Sequence, residues 1–173
     1  MRKINKVDYF CGAFLSYLIS NKVEPTLFEA GDKSKIVEFT IRATTYKVFL
    51  KYSTKKKTVK KQGKIFDRWE IVFAPNEILQ IENFAEPSKK VAVICICTDE
   101  KLHDADIAVL DYEDACKCMG IRQDDKNEQR RITVQHMKGS SKILCHGTAL
   151  SDLKAIEISH NFEKYFGLGD GEE

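Results

Sequence analysis

Three features that would narrow the function are missing from this sequence of 173 residues. It has no apolar run of about 18 residues, the length that a membrane-spanning helix needs, so we predict no membrane association. The charged N-terminal segment is followed by no apolar core or small-residue cleavage site, which argues against a signal peptide. No glycine-rich loop follows a predicted strand, and this excludes a nucleotide-binding loop of that kind.

Strong net charge and a disulfide framework are also missing. The formal charge is only +2, with 43% hydrophobic and 31% charged residues, which is typical of a globular chain long enough for a substantial core. Of the six cysteines, Cys95 and Cys97 lie inside an apolar run and Cys11 lies in a helical pattern. Buried thiols behave as small hydrophobic groups, and a chain of this length does not need bridges. We therefore predict free cysteines and a reducing, cytoplasmic location.

The most clearly patterned stretch, residues 37–53, predicts an antiparallel β-hairpin because both arms alternate apolar and polar residues. With the turn placed at Thr44-Thr45, one face of the hairpin is wholly apolar. On the other face, Glu38 then lies opposite Lys51. Strand register is strongly specified where one face is buried, so this pairing follows from the pattern.

The remaining segments predict an α+β or α/β fold with a mixed central β-sheet of about five strands flanked by helices, followed by a C-terminal β-hairpin and short helix. Helical patterns cover residues 8–21, 76–84 and 112–119. The continuously apolar residues 91–97 are typical of a central strand that is covered on both faces. The polar segment 121–129 divides a core, residues 1–120, from a hairpin-helix extension, residues 121–173, packed on the same domain.

The order of these elements, together with Glu38 and Lys51, resembles the core of the restriction-endonuclease-like nucleases, the PD-(D/E)XK superfamily, over roughly residues 7–119. Members of that family place a carboxylate on one hairpin arm and the pair Glu/Asp/Gln-x-Lys on the next. The resemblance implies that Glu38 is a catalytic residue and metal ligand, that Lys51 positions the attacking water, and that Mg²⁺ is the cofactor if the site is active.

One position departs from that pattern. Phe49 stands two residues before the lysine, and its ring cannot coordinate magnesium, which requires oxygen ligands. The site is therefore incomplete, or it is rebuilt with a carboxylate from elsewhere, or Glu38 and Lys51 are only a cross-strand ion pair on a solvated face. The candidates for a migrated carboxylate are Glu29, Asp32, Asp67 and Glu70.

A lysine-rich stretch follows the hairpin, and no acidic residue lies between Lys47 and Lys64. Two interpretations stay open: a mobile solvated loop, or an arm that contacts nucleic-acid phosphates. The predicted nucleic-acid-binding residues are Lys47, Lys55, Lys56, Lys57, Lys60, Lys61, Lys64 and Arg68. Because no free aromatic side chains are interleaved with these lysines, sequence-specific readout is not predicted.

Zinc binding by cysteine and histidine is not indicated by spacing. Cys116 and Cys118 are separated by one residue, whereas structural zinc sites use two to four. The group of His136, Cys145 and His146 has no motif spacing either.

These observations together predict a nucleic-acid-associated protein with an incomplete nuclease-like site. Residues 51–53 and 68–73 are also similar to proteins of prokaryotic mobile-element and phage-defence neighbourhoods, which implies an accessory subunit of such a system. Two alternatives remain: a protein-interaction subunit that binds no nucleic acid, and an active metal-dependent nuclease with a migrated carboxylate. The expected partners are DNA or RNA, a protein partner or a second copy of the chain, and no membrane.

Overall fold

The computed structural model describes residues 3–29, 34–121 and 128–168. Its helices are α1 (Lys6–Ser20), α2 (Pro75–Glu82), α3 (Tyr112–Met119) and α4 (Glu163–Phe166). Its strands are β1 (Thr26–Glu29), β2 (Lys35–Ile41), β3 (Thr44–Ser53), β4 (Lys57–Lys61), β5 (Lys64–Phe73), β6 (Lys90–Thr98), β7 (Ala105–Asp111), β8 (Arg130–His136), β9 (Lys142–Gly147) and β10 (Ile156–Ser159). None of the helices in this part of the chain is long and apolar enough to cross a membrane.

The strands form two five-stranded sheets. The first sheet has the order β1-β2-β3-β6-β7 and is mixed, because β3 and β6 are parallel while its other pairs are antiparallel. The second sheet has the order β10-β9-β8-β5-β4 and is entirely antiparallel. The predicted fold class, with its mixed sheet, C-terminal hairpin and short helix, is confirmed; the second complete sheet was not predicted.

Two hydrophobic cores hold the layers together. The helix-side core lies between α1 and one face of the first sheet, and it includes Phe14, Phe39 and Phe166. The inter-sheet core lies between the two sheets, and it includes Phe49 and Trp69 together with apolar side chains of α2 and α3. The first sheet is therefore buried on both faces.

Strand β6 shows why this arrangement suits the sequence. Its side chains alternate between the two cores, and every residue from 91 to 98 is buried. A strand covered on both faces requires the unbroken apolar run that the sequence has there. The prediction of a central strand is confirmed.

None of the six cysteines, all of them in the described part of the chain, forms a disulfide, as predicted, and all six are buried. Burial raises the pKa of the Cys95 thiol to about 12 and that of the Cys11 thiol to about 11. Thiols in such positions are unreactive because the thiolate is the nucleophilic form.

The second sheet is built from both parts of the sequence on either side of the predicted boundary. Strands β4 and β5 precede residue 120, whereas β8, β9 and β10 follow it, and β5 pairs with β8 along seven residue pairs. Residues 122–127 of the predicted boundary segment lie outside the described residues.

Candidate functional site

The structure does not bring Glu38 and Lys51 opposite each other. The β2–β3 hairpin exists, but its turn is Arg42-Ala43, and Glu38 pairs with Lys47. The predicted register is therefore wrong, because it placed the turn at Thr44-Thr45. Lys51 lies four residues further along β3, a distance of about 13 Å in an extended strand. Glu38 instead forms an ion pair with Lys89, with 3.1 Å between Oε2 and Nζ.

Lys51 has its own partners in the interior. Its side chain is only 7% exposed, and its Nζ lies 2.8 Å from Oε2 of Glu77 and donates to the carbonyl oxygen of Val72. The same Glu77 oxygen accepts the backbone N–H of Ala74 at 2.9 Å, at the start of α2. The ammonium also lies 4.9 Å from the ring centre of Phe73. Lys51 thus links β3 to β5 and to α2 through a buried ion pair.

The candidates for a migrated carboxylate lie in different places. Glu70 lines the same cavity of about 420 Å³ as Lys51 and Glu77. Asp67 lines another cavity. Asp32 lies outside the described residues, and the side chain of Glu29 is likewise not described. Phe49 is fully buried in the inter-sheet core, so its position can supply no metal ligand.

The lysine-rich stretch folds into a β-hairpin, in place of the mobile loop that one interpretation predicted. We call residues 54–68 the basic hairpin; it contains β4, the turn Gln62-Gly63 and the first half of β5. Both turn residues have positive φ, 49° and 76°, which is the two-residue turn that matches the twist of antiparallel strands. The hairpin forms one edge of the second sheet, because among the described strands β4 pairs with β5 alone.

Like charges face each other directly across this hairpin. Lys57 pairs with Arg68, and Lys61 pairs with Lys64. Such pairs are destabilising in a sheet by amounts of about 0.2–1 kcal/mol. The fold holds these cations together in spite of their repulsion, and in each pair one member has a carboxylate neighbour that offsets part of it, Glu70 for Arg68 and Asp152 for Lys61.

The predicted nucleic-acid-binding residues divide into two groups. Lys47 lies away from the hairpin, 3.8 Å from Glu86 and 4.6 Å from the ring centre of Phe84. The others belong to the basic hairpin, where Lys56, Lys61 and Arg68 have acidic neighbours at 3.9, 2.8 and 3.0 Å. No acidic group within 4.0 Å is found, in the part of the chain that the structure describes, for Lys55, Lys57, Lys60 and Lys64.

Polar side chains with unused hydrogen-bonding atoms lie beside the basic hairpin. By strand register they occupy the face of the second sheet that is turned away from the inter-sheet core. Six buried side-chain atoms of the described residues have no hydrogen-bond partner, and four of them lie on this face; we call their residues the polar floor: Arg68 (Nε), Thr133 (Oγ1), Gln135 (Oε1) and His146 (Nε2). Burial lowers the pKa of His146, while nearby Asp152 opposes that shift, so its ring favours the neutral form. Buried polar atoms without protein partners are rare, and ordered water satisfies most of them.

A second constellation was missed in the sequence. Asp106 at the beginning of β7, His136 at the end of β8 and His160 after β10 meet at one edge of the inter-sheet space. One carboxylate oxygen of Asp106 lies 2.9 Å from Nδ1 of His136, and the other lies 2.8 Å from Nε2 of His160. The two imidazole rings stack with centres 4.2 Å apart. In the sequence, His136 stands out only as a possible zinc ligand together with Cys145 and His146. No local motif marks this group, because its members are 24 and 30 residues apart.

Comparison of this chain with known protein families, with curated proteins and with solved structures gives no match. The function proposed below therefore rests on the geometry of this chain, and the nuclease resemblance stays a prediction.

Proposed function

We propose that this is a cytoplasmic protein that binds nucleic-acid backbone through the basic hairpin. The pairing of like charges, Lys57 with Arg68 and Lys61 with Lys64, is the observation that supports this function most directly. A polyanion would relieve the repulsion that remains at both pairs, in which Arg68 and Lys61 each already have a carboxylate neighbour, Glu70 and Asp152 respectively.

The charge distribution agrees with this proposal. Residues 54–64 contain six lysines and no acidic residue, a formal charge of +6, whereas the whole chain carries +2. The remaining residues therefore sum to −4. A polar molecule of this kind orients its basic end toward an anionic partner before contact.

Protection of a sheet edge is the competing explanation for these lysines. Charged side chains on an edge strand prevent pairing with other chains, and β4 is such an edge. Glutamate is also a charged side chain that opposes edge pairing, but it repels phosphate. We therefore expect Lys57→Glu, which places an acid opposite Arg68, to remain monodisperse in size-exclusion chromatography and to lose nucleic-acid affinity.

Fluorescence-anisotropy titrations with labelled single- and double-stranded DNA and RNA, at two salt concentrations, test the proposal. The test variant replaces Lys57, Lys60 and Lys64 with Gln. We expect it to bind at least about tenfold more weakly at low salt. If all three lysines contact duplex phosphates, the slope of log affinity against log salt should also fall by about 2.7, at about 0.9 per phosphate.

A matched control carries the same loss of charge elsewhere. Lys3, Lys22 and Lys164 are exposed and lie outside the basic hairpin, and replacing them with Gln should leave affinity nearly unchanged. Equal losses in the two triple variants would show only a general charge effect and would contradict the proposed surface. Absence of binding at low salt would favour a protein-interaction subunit.

The biological role that we propose for this binding is that of an accessory subunit. A binder of this kind would serve as an accessory subunit beside a catalytic partner in a prokaryotic defence or mobile-element system, with Glu38 and Lys51 as remnants of an incomplete nuclease-like site. Should magnesium-dependent cleavage be found, Glu70 is the first carboxylate to replace, because it shares a cavity with Lys51.

A further inference from the structure

The cluster of Asp106, His136 and His160 has the composition of a metal site. One ligand atom from each of the three side chains lies within 4.8 Å of the others, and no other such group of three or more potential ligands occurs in the described residues. A tetrahedral zinc centre with bonds of about 2.0–2.1 Å places its ligand atoms about 3.3 Å apart. Binding therefore requires these atoms to approach by up to about 1.5 Å and the His160 ring to turn out of its stack with His136, because the lone pairs of two parallel rings do not converge on one ion.

The hydrogen bonds of His136 determine which of its ring nitrogens carries a proton and which has a lone pair. Its Nε2 lies 2.9 Å from the carbonyl oxygen of Ser140, and a carbonyl can only accept, so Nε2 donates. In the neutral ring, Nδ1 then has a lone pair directed at Oδ2 of Asp106, 2.9 Å away. Two lone pairs at this distance require a cation between them, either a proton or a metal ion.

We propose that Asp106, His136 and His160 bind a divalent transition-metal ion, with zinc as the preferred ion. A proton explains the contact between His136 and Asp106 alone. When its Nε2 carries the proton, His160 donates an ordinary hydrogen bond to the other oxygen of the same carboxylate; what singles out this group is that two imidazoles meet at one partly buried carboxylate. Two imidazoles and one carboxylate form a ligand set for zinc and similar ions, whereas magnesium prefers oxygen ligands.

The surroundings of the cluster match those of known kinds of metal sites. Ligating histidines commonly donate their second ring N–H to a carbonyl or carboxylate, as His136 does to Ser140, and this fixes the tautomer that leaves Nδ1 free to bind. The side chain of His136 is 9% exposed and that of Asp106 is 17% exposed, so two of the three ligands are held in a partly dry setting. His160, at 43% exposed, completes the set from the solvent side.

Three protein ligands leave one tetrahedral position open. The cluster lines a cavity of about 400 Å³ together with Asp67, Lys56 and Trp69, and the open position has access to this space. Sites with three protein ligands and a free position hold a water molecule or an anionic oxygen ligand there, whereas purely structural zinc sites use four protein ligands. The class of ligand expected at the fourth position is therefore water or a small oxyanion.

Zinc titration of the tag-free chain, stripped of metal with EDTA, tests this site by competition with a chromogenic chelator. We expect one zinc ion per chain, and we expect His160→Gln to lower the affinity at least about 100-fold, because changes to groups that only orient a ligand already cost 10–100-fold. His160 is the residue to change first, since it is half-exposed and its replacement leaves the packing intact. Cobalt(II) in the same site should give visible absorption of the tetrahedral type, which His160→Gln should remove.

The chain offers a matched control. His103 also contacts an aspartate, with 3.2 Å between its Nδ1 and Oδ2 of Asp99, but no second histidine lies beside them. His103→Gln should keep wild-type zinc affinity. Absence of stoichiometric binding to the folded chain would overturn the proposal and leave a proton between His136 and Asp106, and so would equal losses of affinity in His103→Gln and His160→Gln.

Discussion

The ammonium group of Lys51 ends in the interior, where its neighbours are a carboxylate, a carbonyl oxygen and an aromatic ring. A buried charge of this kind is tolerated only because it is paired and hydrogen-bonded. The alternation of the strand marks Lys51 as a polar residue, and it does so equally for a catalytic lysine and for a structural ion pair. What distinguishes these roles is the partner, Glu77, which lies 26 residues away.

Lys51→Met should destabilise the protein by about 3–5 kcal/mol, because it leaves the Glu77 carboxylate buried without its counter-ion. The double variant with Glu77→Gln should recover much of this loss, since the amide can accept the Ala74 N–H and has no charge. Urea unfolding followed by circular dichroism measures both values. Glu38→Gln is the control, and as one half of a partly exposed pair it should change stability by no more than about 1 kcal/mol. A double variant as unstable as the single one would contradict the pairing.

At the scale of elements, both β2–β3 and β4–β5 are joined by two-residue turns in which both residues have positive φ. The turn of the basic hairpin uses Gln62-Gly63, whereas the turn between β2 and β3 uses Arg42-Ala43, with φ of 46° and 65°. Non-glycine residues in this region cost about 1–2 kcal/mol each. The first hairpin thus has two strained turn residues, whereas the second has one, Gln62, because its other turn residue is glycine.

Ala43→Gly should stabilise the protein by about 1 kcal/mol by removing that strain. The matched reverse change, Gly63→Ala, should destabilise it by about 1–2 kcal/mol, for conformational reasons alone, because a Cβ at residue 63 would meet no atom within 4 Å. The midpoints of urea unfolding, at unchanged slope, measure the two effects. Changes of the same sign in the two variants would contradict this account of the turns.

The missing turn signal also explains which parts of the fold were predictable. The apolar face of the β2–β3 hairpin was correct, because a register error of an even number of residues leaves every side chain on its proper face. The register itself was not, because neither Arg42 nor Ala43 is typical of such a turn. The elements with a strong local pattern, α1, α3 and β6, were close to their observed bounds. The second sheet was not predicted because its edge strand β4 contains four polar residues and one valine, a composition that is typical of a loop.

The candidate sites divide in the same way. The basic hairpin could be found because its lysines are consecutive in sequence. The cluster of Asp106, His136 and His160 could not, because three elements that are distant in sequence bring it together. Such contacts depend on where each element lies in the two sheets. Neither the composition nor the periodicity of the sequence specifies that position.

At the scale of the whole molecule, the two cores share the first sheet and draw on distant parts of the sequence. Phe166 of α4 packs against Phe14 of α1 and Phe39 of β2 in the helix-side core. Trp69, the only tryptophan, lies in the inter-sheet core on the other face of the same sheet. We expect the two cores to unfold together, since each one covers a face of the same strands.

Phe166→Ala should destabilise the protein by about 3–5 kcal/mol through loss of buried surface and creation of a cavity. Because the cores are coupled, the fluorescence of Trp69 should report the same shift in urea midpoint as circular dichroism. Leu153→Ala, at an 89% exposed position, should change neither signal by more than about 0.5 kcal/mol. A shift seen by circular dichroism but not by Trp69 would show that the two cores unfold separately.

The position of Phe166 also affects when the chain can fold during its synthesis. During translation, Phe39 leaves the ribosome 127 residues before Phe166, a delay of about 6–25 s at 5–20 residues per second. Throughout that interval Phe166 is missing from the aromatic cluster beneath α1, and the nascent chain exposes apolar side chains that the complete fold buries. The final packing of α1 on the first sheet can consequently be completed only after synthesis passes residue 166.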